Sequence, residues 1–191
     1  SGGTATETTV SSGGSMWVDG TATETTVCSG GRMRVLSSGT ATETTVSSGG
    51  SMWVLSGGTA TETTVSSGGR MWVDGTATET TVSSGGSMWV YGTATETTVS
   101  SGGDMNIDYG GTATETTVSS GGRINGFIVQ QENYYSSGIH VSNAYVSGSA
   151  YLYSGQTATS TTVSSGGSMY VDYDGTATET TVSSGGRING F

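Results

Sequence analysis

Apolar residues recur along this chain in a fixed beat. The string Thr-Ala-Thr-Glu-Thr-Thr-Val begins at Thr4, Thr21, Thr40, Thr59, Thr76, Thr93, Thr112 and Thr176, and at Thr157 with Ser160 in place of the glutamate. His140 to Val146 fits the same frame as a degenerate copy, which makes ten. Successive copies start 17 or 19 residues apart, except for 28 between Thr112 and His140. A Gly-rich turn follows each string, and then a short segment such as Ser15-Met16-Trp17-Val18 or Arg70-Met71-Trp72-Val73, whose alternation puts Met and Val on one face. A period of this length without helical spacing predicts an all-β fold, a parallel β-helix or β-solenoid of about ten coils of 17–19 residues. With coils stacked about 4.8 Å apart, ten of them form a rod on the order of 48 Å long.

The degenerate copy indicates which positions face inward, because it keeps small or apolar residues at Val141, Ala144 and Val146. These correspond to positions two, five and seven of the string, Ala5, Thr8 and Val10 in the first coil. The step from two to five is odd, so strict alternation breaks, and a corner or bulge near Thr6-Glu7 is expected. A coil with three faces follows.

Stacking turns each outward position into a row. The outward residue of the second segment gives Trp17, Arg34, Trp53, Trp72, Trp89, Asn106, Asn125, Tyr151, Tyr170 and Asn189. Stacked rings with an Arg among them can reinforce the register between coils. Alternatively, Trp17, Arg34, Trp53, Trp72, Trp89, Tyr151 and Tyr170 form an exposed association or sugar-binding stripe. Position four gives a second row, Glu7 to Glu115 in unbroken succession, then Asn143, Ser160 and Glu179. Neighbouring charges about 5 Å apart repel by roughly 0.8 kcal/mol in water, so this row belongs where side chains splay into solvent. Weak cation binding is the other reading of that edge. Alternating Thr also suggests an ice-binding face, although in the linear string the glutamate interrupts each threonine rank.

Composition removes several classes. Gly, Thr and Ser together exceed half of the 191 residues, and only 31% are hydrophobic, too few for a conventional α/β enzyme core. Five Arg with no Lys against 15 acidic residues leave a net charge of −10, which disfavours nucleic acid and anionic membrane as partners. One Cys and one His exclude an internal disulfide and a multi-His metal site. No apolar run approaches the roughly 20 residues that span a bilayer. A repeat presents like groups everywhere, whereas catalysis needs unlike groups converging at one place, so no catalytic residue, cofactor or metal is expected.

The turns carry candidate glycan acceptors, Ser11, Ser12, Ser47, Ser48, Ser66, Ser67, Ser83 and Ser84, with Cys28 standing at the equivalent place in the second coil. The whole chain, 1–191, reads as one array, with an insertion over 126–138 that includes Phe127, Tyr134 and Tyr135 and is a candidate binding loop. Arg123 to Phe127 recurs as Arg187 to Phe191, so a segment of a longer repeat region is expected.

The pattern Gly-Gly-Thr-Ala-x-x-Thr-Thr-Val, followed by Ser and Gly-Gly as in Gly2 to Gly14, resembles the repeats of the AIDA-like self-associating autotransporter adhesins of Gram-negative bacteria. The resemblance implies a right-handed β-helix on the outer cell surface that mediates cell-to-cell aggregation or adhesion, with like copies or a host surface as partner. It also implies Ser/Thr O-glycosylation by a dedicated glycosyltransferase, which maps onto the turn serines above. The rivals are an ice-binding solenoid and a self-assembling extracellular filament.

Overall fold

Each repeat closes into one coil of three short strands. The computed structural model describes residues 2–108, 110–119, 121–126, 140–142, 144–153 and 155–190, and of 125–126, 140–142 and 145 the backbone alone. The coil beginning at Thr76 is representative, with strands Thr76–Thr78, Thr81–Val82 and Ser87–Val90. Equivalent strands of successive coils pair in parallel and build three sheets of ten strands each. The register is residue on residue, Thr59↔Thr76↔Thr93, Val65↔Val82↔Val99 and Trp72↔Trp89↔Asn106, so repeat equivalence becomes spatial adjacency.

Two turns make the corners sharp. At the first, the glutamate adopts a left-handed backbone, with φ of 53° at Glu79 and 54° at Glu62, and its N–H crosses to the next coil, Glu79 N donating to the Thr95 carbonyl at 3.1 Å. This is the break anticipated near Thr6-Glu7. At the second, Ser84 and Gly85 are both left-handed, and Gly86 N donates back to the Ser83 carbonyl at 2.8 Å, which makes a type I′ turn. A Cβ on Gly86 would run into the Val65 carbonyl of the preceding coil, so only glycine permits the coils to close up there. The third turn absorbs most of the variation in coil length, two residues in Asp74-Gly75 against four in Leu55 to Gly58.

All three sheets face one core. Ala77, Val82, Met88 and Val90 are each fully buried, and the same positions are buried through most of the array. A buried Val or Met contributes about 1.5–3 kcal/mol by leaving water, and most coils supply one Met-sized and two Val-sized groups. The inward assignment of position five holds, because Thr25, Thr44, Thr63, Thr80, Thr97 and Thr116 are buried, and so does Ala144 in the degenerate coil. The hydroxyls of those threonines have no hydrogen-bond partner. No helix is long and apolar enough to cross a membrane among the described residues.

Candidate functional site

The outward face of the third sheet carries the expected aromatic row. Trp53 stacks on Trp72 with centroids 4.9 Å apart and planes within 6°, and Trp72 on Trp89 at 5.0 Å and 9°. Tyr151 stacks on Tyr170 at 4.8 Å. Coil pitch dictates these distances, and parallel offset rings are a favourable arrangement at that spacing. The Arg34 guanidinium sits 5.9 Å from the Trp17 ring and 5.1 Å from the Trp53 ring, filling the one break in the tryptophan run. Because each inner ring is covered on both faces by its neighbours, Trp72 presents only an edge, and Trp53, Trp72 and Trp89 are half-buried. Sugar stacking needs an open ring face, which that central run does not offer. Trp17, 61% exposed, is the freest of the row.

A second outward row on the same strands escaped the sequence reading. Period two places the first residue of each strand beside the aromatic row, giving Ser51, Arg70, Ser87, Asp104 and Arg123 in register, with Arg32 preceding Ser51. The signal was legible as the alternation itself, Arg70 two residues before Trp72.

The glutamate row runs along the corner between the first two sheets. Glu43, Glu62, Glu79, Glu96 and Glu115, with Thr45, Thr64, Thr81, Thr98 and Thr117 from the second sheet, line one open groove of about 730 Å³. All five glutamates are exposed, as their mutual repulsion requires. Where Ser160 replaces the glutamate, its hydroxyl donates to the Glu179 carboxylate at 2.8 Å.

Since the corner turns at the glutamate, that residue leaves the plane of the first sheet. Thr76 and Thr78 then flank inward Ala77, and the same pair pattern repeats from coil to coil. The glutamates therefore border the threonine ranks and do not interrupt them, which corrects the reading of the linear string.

At the second turn, Ser12, Ser48, Ser67 and Ser84 are exposed, while Ser11, Ser47, Ser66 and Ser83 are half-buried. Cys28 is half-buried at the place of the inner serine. At the third turn, Ser38 donates to the Asp19 carboxylate at 2.6 Å and holds that carboxyl below its usual range. The candidate loop residues Phe127, Tyr134 and Tyr135 lie outside the described residues.

The family profile "Adhesin of bacterial autotransporter system, probable stalk", AIDA, matches residues 19–69 and 37–86. Over 98% of its length the chain also aligns, at 31% identity, with 89% of a solved fragment of TibA, hyper-glycosylated in a reaction catalysed by TibC. The coils of residues 19–86 thus match the AIDA stalk repeat. The chain's TM-score against the TibA fragment is 0.47. Among curated proteins none matches at a significant level. The residues matched by the AIDA profile contain the acidic groove's first members, Glu43, Glu62 and Glu79, and the tryptophans Trp53 and Trp72.

Proposed function

We propose that this AIDA-like array acts on the outer cell surface as an adhesin segment that joins like cells through many weak contacts along its sides. What supports the reading is the in-register repetition itself, which displays equivalent positions, and in most coils like groups, over ten coils. Contacts of that kind add along the length of two adjacent rods, so binding grows by multivalency without a deep pocket. Beads coated with the full chain should clump, clumping should rise steeply with coating density, and excess soluble chain should disperse the clumps. Beads that stay single at every density would reduce the array to a passive stalk.

The exposed turn serines are the acceptors we assign to a glycosyltransferase of the TibC kind, with Ser48, Ser67 and Ser84 preferred over their half-buried neighbours. Co-expression with such an enzyme, followed by peptide mass mapping, should find the sugar on the second serine of the pair. An unmodified chain would remove that partner.

One observation favours a second reading, an ice-binding face: the ranks through Thr76 and Thr78 carry no glutamate. Thermal hysteresis of a solution of the chain would establish it, and ice growth indistinguishable from that in buffer would dismiss it.

A further inference from the structure

The cations of this chain are sorted onto one face. Every one of its five cations lies on a strand of the third sheet, Arg32 and Arg34 on Arg32–Val35, Arg70 on Arg70–Val73, Arg123 on Arg123–Gly126 and Arg187 on Arg187–Gly190. Arg34 is enclosed between tryptophans, but Arg32, Arg70, Arg123 and Arg187 are exposed. The glutamates follow the corner between the first and second sheets. In a coil of three sheets around one core, that corner lies across the rod from the third sheet. Each copy therefore shows a cationic, aromatic face on one side and an acidic groove on the other.

Both arrays also share one pitch, because both are set by the same stacking of coils at about 4.8 Å. The exposed arginines recur at intervals of two coils from Arg32 to Arg70 and three from Arg70 to Arg123. The glutamate row is unbroken over seven successive coils, Glu7 to Glu115, so two rods laid side by side can bring Arg32, Arg70 and Arg123 onto glutamates at once. Between the arginines stand Ser51, Ser87 and Asp104; the two serines are small enough to let the face sink toward the groove threonines Thr64, Thr81 and Thr98, and Asp104 lies in register beside Arg123.

We propose that the array self-associates face to groove, the arginine and aromatic face of one copy seated along the glutamate and threonine groove of a second copy. This rests on the self-association reading above and names the surfaces that carry it. A strand of four residues about 13 Å wide on a rod about 48 Å long covers roughly 600 Å² per copy, about 1,200 Å² in all, at the weak end of specific interfaces. Exposed ion pairs are individually weak, so several must form together. The net charge of −10 holds apart copies that meet in any other arrangement. The contact is heterologous, leaving each rod a free face and a free groove, so association propagates sideways without closing.

The test is charge exchange on the full chain. One variant carries Arg32→Glu, Arg70→Glu and Arg123→Glu; the other carries Glu24→Arg, Glu62→Arg and Glu115→Arg, which repeat the two- and three-coil spacing of the arginines. Bead clumping by either alone should fall at least tenfold, and an equal mixture should recover it, because the acidic face of the first fits the basic groove of the second. Melting curves verify that both fold, and a neutral variant, Arg32→Gln with Arg70→Gln and Arg123→Gln, should also lose clumping if reversal proves too disruptive. Clumping undiminished in the arginine variants overturns the pairing while leaving self-association standing. Loss in both reversal variants without recovery on mixing overturns it as well. Failure of the unaltered chain to clump would remove the self-association reading and this pairing together.

Discussion

At the level of single residues, burial is what separates neighbours that look alike in the string. Val82 is fully enclosed and Thr81 is exposed, although they are adjacent in one strand. Val82→Asp should therefore destabilise by several kcal/mol, since it places an unpaired charge in the core, whereas Thr81→Asp should shift stability by about 0.5 kcal/mol or less. Comparable melting temperatures for the two would contradict the facing assignment. Thr80 tests the opposite sign. Its hydroxyl is enclosed without a partner, and valine keeps the shape while deleting the orphaned group, so Thr80→Val should stabilise by about 1–3 kcal/mol. The degenerate coil already tolerates an apolar residue there, Ala144. A melting temperature that drops on Thr80→Val would mean that the hydroxyl is bonded in solution.

Corners and turns form the next level, and their strain is repeated in nearly every coil. A glutamate at φ of 53° or 54° occupies a region that costs non-glycine residues about 1–2 kcal/mol, and asparagine tolerates it better. Replacing Glu62, Glu79 and Glu96 together by Asn relieves both the backbone and the repulsion along the row. The variant should melt higher than the parent at low salt, and the gap should narrow as salt screens the parent's row. A lower melting temperature would show that the carboxylates hold the corner in some way that the backbone does not reveal. The third turn gives a pH test. Burial, then the charge and hydrogen bond of Asp108 and the charge of Asp74, push the Tyr91 phenol above its ordinary pKa of 10.0. The folded state thus retains this proton where the unfolded chain loses it, so its contribution is full below pH 10 and disappears as pH rises through the folded pKa. Tyr91→Phe should flatten the loss of melting temperature in that alkaline window, and an unchanged profile would refute the coupling.

Over the whole rod, the same stack that looks like a binding stripe is also part of the framework. Each stacked aromatic pair contributes about 0.5–1.5 kcal/mol beyond its burial, and Trp53, Trp72 and Trp89 make two such pairs. Replacing all three by Ser should consequently lower the melting temperature, besides weakening any contact made through the ring edges. An unshifted melting curve would mean that the stack is ornamental to stability. Because a solenoid's stability is nearly a sum of neighbour terms, the loss should concentrate in the coils that carry the replaced residues. Hydrogen exchange along the chain would localise it.

The sequence alone determined the coil, its three faces, the inward positions and the membership of the aromatic and glutamate rows. It could do so because stacking in register converts equivalence along the chain into adjacency in space, as Trp53, Trp72 and Trp89 demonstrate. It determined less about what each row can do. Only the tertiary structure decided that the tryptophan rings cover one another's faces, since that depends on rotamers shared between coils. It alone decided that the glutamates leave the threonine plane, because a positive φ at one residue redirects the chain and no pattern of polarity records it. It also placed the arginines across the rod from the acidic groove, a relation between faces that exists only once the coil has closed.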